Sequence, residues 1–256
     1  MTHGSHWECI VPNVEIFFET HFNDILQNSQ VIEETQEYGY NIATEQDQDN
    51  KIYTLLYTVD KSVPYLYLTQ IVNRQLWTAY PVLNFAITHE VIIVEIIEEG
   101  NFVEARIRCK LAEYPDFQLV FFDTMYHRHK SRYVIGKTYP FLLNGFMYRC
   151  GKNQYVDTKL PNVDLEVYID KNTVVCIGDD EGDIDDYKVM SPIQECESFN
   201  TPFGKAYKMK IVLLQGGANF SLPVLVAEHQ LKEGFIPQKG ESINGSFWLC
   251  GMLNTE

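Results

Sequence analysis

The chain has 256 residues, 45% of them hydrophobic, with 16 Tyr and 15 Phe, so it holds enough apolar area for one large or two modest cores and is not a disordered chain. Its formal charge of −15 keeps it dispersed and disfavours non-specific binding to nucleic acid, which rests on cations that displace counterions from phosphates. No apolar run approaches the ~18 residues of a membrane helix, and MTHGSHWECIVPN lacks the cationic and apolar regions of a secretory signal. A cytoplasmic protein without membrane contact is therefore expected, its six scattered cysteines reduced and mostly buried, although an even count leaves pairing open.

In chain order, residues 14–27 (VEIFFETHFNDILQ) carry a helical period that puts Phe17, Phe18, Phe22 and Ile25 on one face, with Asn13 placed to cap the start. Residues 28–50 are polar and read as a surface connection with a mobile tip. KIYTLLYTV and VPYLYLTQIV read as a hairpin, and LWTAYPVLNFA as a further apolar segment. These make up an N-terminal α+β extension over residues 1–86.

The rest reads as a repeat. FQLVFFDTMYHRHKSRYVIGKTYPFLLNGFMY, from Phe117, returns as FSLPVLVAEHQLKEGFIPQKGESINGSFWLCGM, from Phe220. Each copy has an apolar run, a short polar segment, a glycine turn (Gly136 or Gly240) and a second apolar run. Upstream of each lies a strand, a Gly-containing turn and an alternating strand, Val103, Ala105, Ile107 and Cys109 in the first copy and Tyr207, Met209 and Ile211 between Ala206, Lys208, Lys210 and Val212 in the second. The unit of three strands, a short helix and two strands predicts a mainly β fold of two tandem OB-like barrel modules, residues 87–178 and 188–256. VDLEVYI and TVVCIG are two more strands between them. GDDEGDIDDYK, residues 178–188, reads as an exposed, self-repelling loop whose spacing does not meet the EF-hand pattern. Trp248 and Tyr148 read as core anchors.

Walker A, G-x-G-x-x-G, H-E-x-x-H and G-x-S-x-G are all absent from the sequence. Two local clusters remain. Asp123, His127 and His129 form a candidate metal set, since histidines two apart on an extended strand share a face. Arg128, Lys130, Arg132 and Lys137, interleaved with Tyr126, Tyr133 and Tyr139, form a candidate single-strand nucleic-acid surface, with cations for phosphates and rings for bases. Neither recurs in the second copy, where the matching segment holds one histidine, His229, and alternates Lys232 and Lys239 with Glu228, Glu233 and Glu241.

Two blocks resemble a group of uncharacterised bacterial proteins. The first, FFDT-x-Y-x-x-x-K-x-x-Y-x-I-G-x-x-Y-x-F, is matched by Phe121, Phe122, Asp123, Thr124, Tyr126, Lys130, Tyr133, Ile135, Gly136, Tyr139 and Phe141. The second, P-x-K-G-x-x-I-x-G-x-x-W-L-x-G, is matched by Pro237, Lys239, Gly240, Ile243, Gly245, Trp248, Leu249 and Gly251. The resemblance implies a bacterial or phage-related soluble protein and carries no activity; the histidine pair is not part of its pattern. The expectation is a non-enzymatic binding or interaction protein without a cofactor, holding a partner on a module face or between modules. The alternatives are a nucleic-acid-binding module working through residues 126–139 and a metal-dependent hydrolase centred on Asp123, His127 and His129.

Overall fold

A computed structural model describes residues 4–28, 30–40, 48–59, 65–72, 75–99, 103–154, 169–216 and 219–255. The chain is mainly β and divides into two compact units, Met1–Asn84 and Phe85–Glu256.

In the first unit a 3-10 turn, Gly4–Cys9, leads into helices α1 (Val14–Thr20) and α2 (Phe22–Asn28). Asn13 caps α1 as expected, its Oδ1 accepting from the Ile16 amide at 3.0 Å. The single helix expected over 14–27 is interrupted at His21. There the Thr20 hydroxyl donates back to the Ile16 carbonyl at 2.6 Å, a local bond that competes with the helical ladder. Phe17 and Phe22 are buried and pack around Trp7, whose indole N–H donates to the Ala79 carbonyl at 2.8 Å. Strands β1 (Gln30–Tyr40), β2 (Gln48–Val59), β3 (Tyr65–Val72) and β4 (Gln75–Leu83) form an antiparallel meander in that order. The connection expected over residues 28–50 is thus a strand from 30 to 40. It lies at a sheet edge with one neighbour, where polar residues are tolerated, so its composition hid it.

In the second unit nine described strands form one sheet that closes on itself. They are β5 (Ile87–Glu98), β6 (Ala105–Leu111), β7 (Gln118–Asp123), β8 (Thr138–Lys152), β9 (Val175–Gly178), β10 (Asp186–Thr201), β11 (Gly204–Leu214), β12 (Phe220–Ala227) and β13 (Ser242–Leu253). A helical turn, α3 (Tyr126–His129), follows β7, and a 3-10 turn, Glu228–Gln230, follows β12. The expected strand VDLEVYI lies mostly outside the described residues, while TVVCIG contributes β9 at the sheet edge.

The pairing traces two five-strand circuits. One runs β5-β6-β7-β13-β8 and back to β5; the other runs β10-β11-β12-β8-β13 and back to β10. Both contain the long antiparallel β8–β13 pair, which runs from Phe141↔Leu253 to Lys152↔Ile243. In each circuit the remaining contact is parallel, Phe122↔Cys250 in one and Leu225↔Phe146 in the other.

The circuits match in detail. The β5–β6 register shifts between Ile93 and Glu95, and the β10–β11 register between Ile193 and Glu195. Beyond each shift a glutamate faces a cation across the ladder, Glu95 to Arg108 at 2.8 Å and Glu195 to Lys210 at 3.5 Å. The amides of Gly136 and Gly240 donate to the carbonyls of Ile93 and Ile193, each at 2.8 Å, and both glycines turn at positive φ, 83° and 87°. The core between the strands holds Ile107, Cys109, Phe121, Phe141, Met209, Ile211, Val224 and Phe247. The alternation read from the two middle strands therefore points inward as Ala105, Ile107 and Cys109 in β6, and as Tyr207, Met209 and Ile211 in β11. Trp248 is fully buried against Phe122 and Phe146, as expected of an anchor.

Candidate functional site

The polar segment after β7 is tied to the core rather than presented to solvent. Asp123, at the end of β7, is 1% exposed. Its Oδ2 accepts from the Tyr133 hydroxyl at 2.6 Å and its Oδ1 from the Met125 amide at 3.0 Å. Burial pushes its carboxyl up to about 7, against the lowering effect of those two hydrogen bonds. Tyr126 donates to Glu98, and the rings of Tyr126 and Tyr133 lie 6.2 Å apart, both buried.

This placement redraws both local clusters. His127 and His129 lie two positions apart on a helical turn, not on an extended strand, so they leave the helix on different sides. Among the described residues no group of three or more His, Cys, Asp and Glu side chains is arranged to hold a metal. Burial, with Arg128 and Arg132 nearby, brings the His129 imidazole down to about 4, so the ring is neutral near pH 7. Of the proposed nucleic-acid surface, Arg128, Arg132 and Lys137 are exposed and Lys130 is half-buried. Tyr126 and Tyr133 turn their rings into the core and offer no face on which a base could stack. The two tyrosines flank the helical segment, one at its start and one just past its end. That is a packing pattern, and reading them with the intervening cations missed it.

Asp123 predicts a pH dependence. An acid with a raised folded pKa binds protons in the native state that the unfolded chain has already released, so its contribution is fully present below pH ~4 and lost as pH rises through about 7. The loss is of order 4 kcal/mol from the difference between 3.8 and about 7. Asp123→Asn, measured beside the parent by urea denaturation from pH 4 to 8, should gain stability relative to it as pH rises. A difference that stays flat over this range would contradict the assignment. Comparing the two proteins cancels the opposite dependence of His129, which favours the native state as pH rises through its own range.

The loop over residues 178–188 is not the self-repelling stretch its composition predicts. Lys188 pairs with Asp179 at 2.9 Å and Asp180 at 2.7 Å, and Arg106 bonds Glu99, Asp183 and Asp185. Asp185 is fully buried and accepts the Trp248 indole N–H at 2.8 Å. Arg106 from β6 and Lys188 from β10 pair with four of the six acids, and the part played by Arg106 is one a local reading of charge cannot show. All six cysteines are free, and burial pushes the Cys109 and Cys150 thiols up to about 12, so they are unreactive at neutral pH.

A cleft with room for a ligand lies elsewhere, on the outer face of β9, β10, β13 and β8. Cross-strand partners line up there in two adjacent rows. One is Ile177, Lys188, Ser246 and Arg149; the other is Val175, Met190, Asn244 and Gly151. Facing residues in a ladder share a face, so each row crosses four strands. The cleft above them has a volume of about 360 Å³. Its β9 edge is aliphatic, with Val175 and Ile177 exposed on the last strand of the sheet. Its β8 side is cationic, with Arg149 and with Lys232, whose side chain lies over Gly151. Gly245 forms part of the lining where β13 crosses β8 closely. The Asn244 side-chain carbonyl oxygen is buried with no hydrogen-bond partner. None of these residues stands out in the sequence, because they come from four strands and a turn and meet only through register.

No known protein family, curated protein or solved structure matches the chain. No helix among the described residues is long and apolar enough to cross a membrane.

Proposed function

We propose that residues 85–256 are two OB-like modules in tandem that share their closing strands, and that the protein is a non-enzymatic binding protein with its ligand seat in the cleft over the β8–β13 seam. The matched circuits support the first part. Each half supplies three strands, a helical turn and a fourth strand, and the fourth strand of the other half completes its ring. The observation that carries the second part is the cleft itself. Its volume of about 360 Å³ lies within the range of small-molecule sites, it is mostly apolar, and it holds a few convergent polar groups.

The test is a titration of 15N-labelled protein with a varied set of small anionic and neutral organic compounds, followed by NMR. Shifts gathered at the Asn244 side-chain amide, Gly245 and Met190, with the compound recovered unchanged, are expected. Shifts scattered over the surface, or centred on residues 126–139, would contradict the assignment, and turnover of a compound would replace it with an enzymatic one.

A further inference from the structure

The cleft also indicates the chemistry of its occupant. This step rests on the binding reading above and narrows it. We infer that the cleft takes a small organic phosphate monoester whose body is flat, largely apolar and carries a hydrogen-bond donor.

Three features converge on that class. The first is unopposed positive charge. The chain carries a net −15, yet among the described residues no carboxylate pairs with Arg149 or Lys232. Lys188, the other cation of the cleft, is held by Asp179 and Asp180 and contributes its aliphatic stem. The missing side chain at Gly151 makes room for the stem of Lys232, which lies over it, and Arg149 stands two residues away on the same face of β8. A phosphate monoester carries about −1.5 to −2 at neutral pH, enough to answer both cations, and its oxygens accept from the guanidinium fork and the ammonium together.

The second feature is the apolar wall. Val175, Ile177 and Met190 form a continuous aliphatic surface at the β9 edge, opposite the cations across the cleft. It fits a planar or branched carbon body better than a free inorganic anion, which would leave it wet. The third is Asn244, between the two. A buried carbonyl oxygen without a donor is costly, and the residue sits in the row that links Met190 to Gly151. Rotation of its amide towards the cleft would expose the oxygen to a ligand N–H or O–H that satisfies it.

The experiment uses the full chain with three probes, adenosine monophosphate, adenosine and inorganic phosphate, read by calorimetry and by the NMR shifts of Asn244 and Gly245. Adenosine monophosphate supplies the phosphate, a flat body and an amino donor. It should bind at least tenfold more tightly than adenosine, with inorganic phosphate competing weakly. The variant Arg149→Glu with Lys232→Glu, both side chains exposed, should bind adenosine monophosphate at least tenfold more weakly and adenosine as before. Asn244→Leu should weaken both nucleoside probes. Adenosine binding as tightly as its monophosphate, unaffected by the charge reversal, would overturn the phosphate class and leave the cleft as a binding site. If none of the three probes shifts a cleft resonance, both the ligand class and the cleft assignment fail.

Discussion

Gly245→Ala should destabilise residues 85–256 by about 3 kcal/mol or more, a large share of the ~5–15 kcal/mol that typically holds a domain folded. A β-carbon at this position would stand 2.1 Å from the Arg149 carbonyl oxygen and 2.8 Å from the Met147 Cε. The methionine can move. The carbonyl cannot, because it belongs to β8 where that strand is hydrogen-bonded to β13, with Gly245 opposite Cys150. Relief requires the seam to open, and both circuits contain the seam. Gly151→Ala is the control. There the clash, at 2.4 Å, is with the Cδ of Lys232, the far part of a flexible side chain, so the change should stay within about 0.5 kcal/mol. Urea denaturation followed by circular dichroism reads both. Equal stability for the two variants would mean that the strands do not cross as closely as described.

Arg106→Ala is expected to cost about 3–5 kcal/mol, the range for removing one partner of a buried ion pair. Arg106 Nε lies 2.6 Å from Asp185 Oδ1, and Asp185 is fully buried. Burial pulls the guanidinium down, but Asp185, Glu99 and Asp183 outweigh it and hold Arg106 firmly charged. Burial pushes the Asp185 carboxyl up in spite of Arg106, so the acid depends on its partner to stay ionised. Without the arginine, Asp185 keeps only the Trp248 indole as a side-chain donor and must either take a proton or remain an uncompensated charge. The double variant Arg106→Met with Asp185→Leu should recover part of the loss, because it removes the charge along with its partner but takes this acceptor from the Trp248 indole N–H. A loss below about 1 kcal/mol for the single variant would place this pair with the exposed ones, Arg108–Glu95 and Lys210–Glu195.

These two sites also mark where sequence reading stops. The alternation in 103–109 and 206–212, the turn glycines Gly136 and Gly240, and the anchor Trp248 were all legible, because each expresses a local rule: a period of two, a positive φ, a large ring in an apolar run. The shared seam was not. Three strands, a short helix and a fourth strand follow one another along the chain in the same order whichever fourth strand closes each ring. Only pairing across about a hundred residues separates the possibilities, and that pairing leaves no local signal.

The same reason explains the site. Asp123, His127 and His129, and the cations with their tyrosines, drew attention because they are close in sequence, but the helical turn disperses the histidines and the core takes the rings of Tyr126 and Tyr133. Arg149, Lys232, Asn244 and Val175 are unremarkable one by one and meet only because the register sets Val175 beside Met190, Met190 beside Asn244 and Asn244 beside Gly151. The acidic loop misled in a similar way. Its charges are answered by Arg106 from a strand more than seventy residues earlier and by Lys188 at its own end.

The most direct test of the shared seam is the proton–proton nuclear Overhauser effect across the two parallel contacts. The structure predicts cross-peaks linking Phe122 to Cys250 and Leu225 to Phe146 within one molecule. These should persist at equal strength when labelled protein is diluted into a large excess of unlabelled protein, which excludes pairing between chains. Closure of each ring by a strand from its own half, seen as peaks from β7 to β8 and from β12 to β13 in place of the predicted pairs, would contradict the shared seam and the cleft built on it.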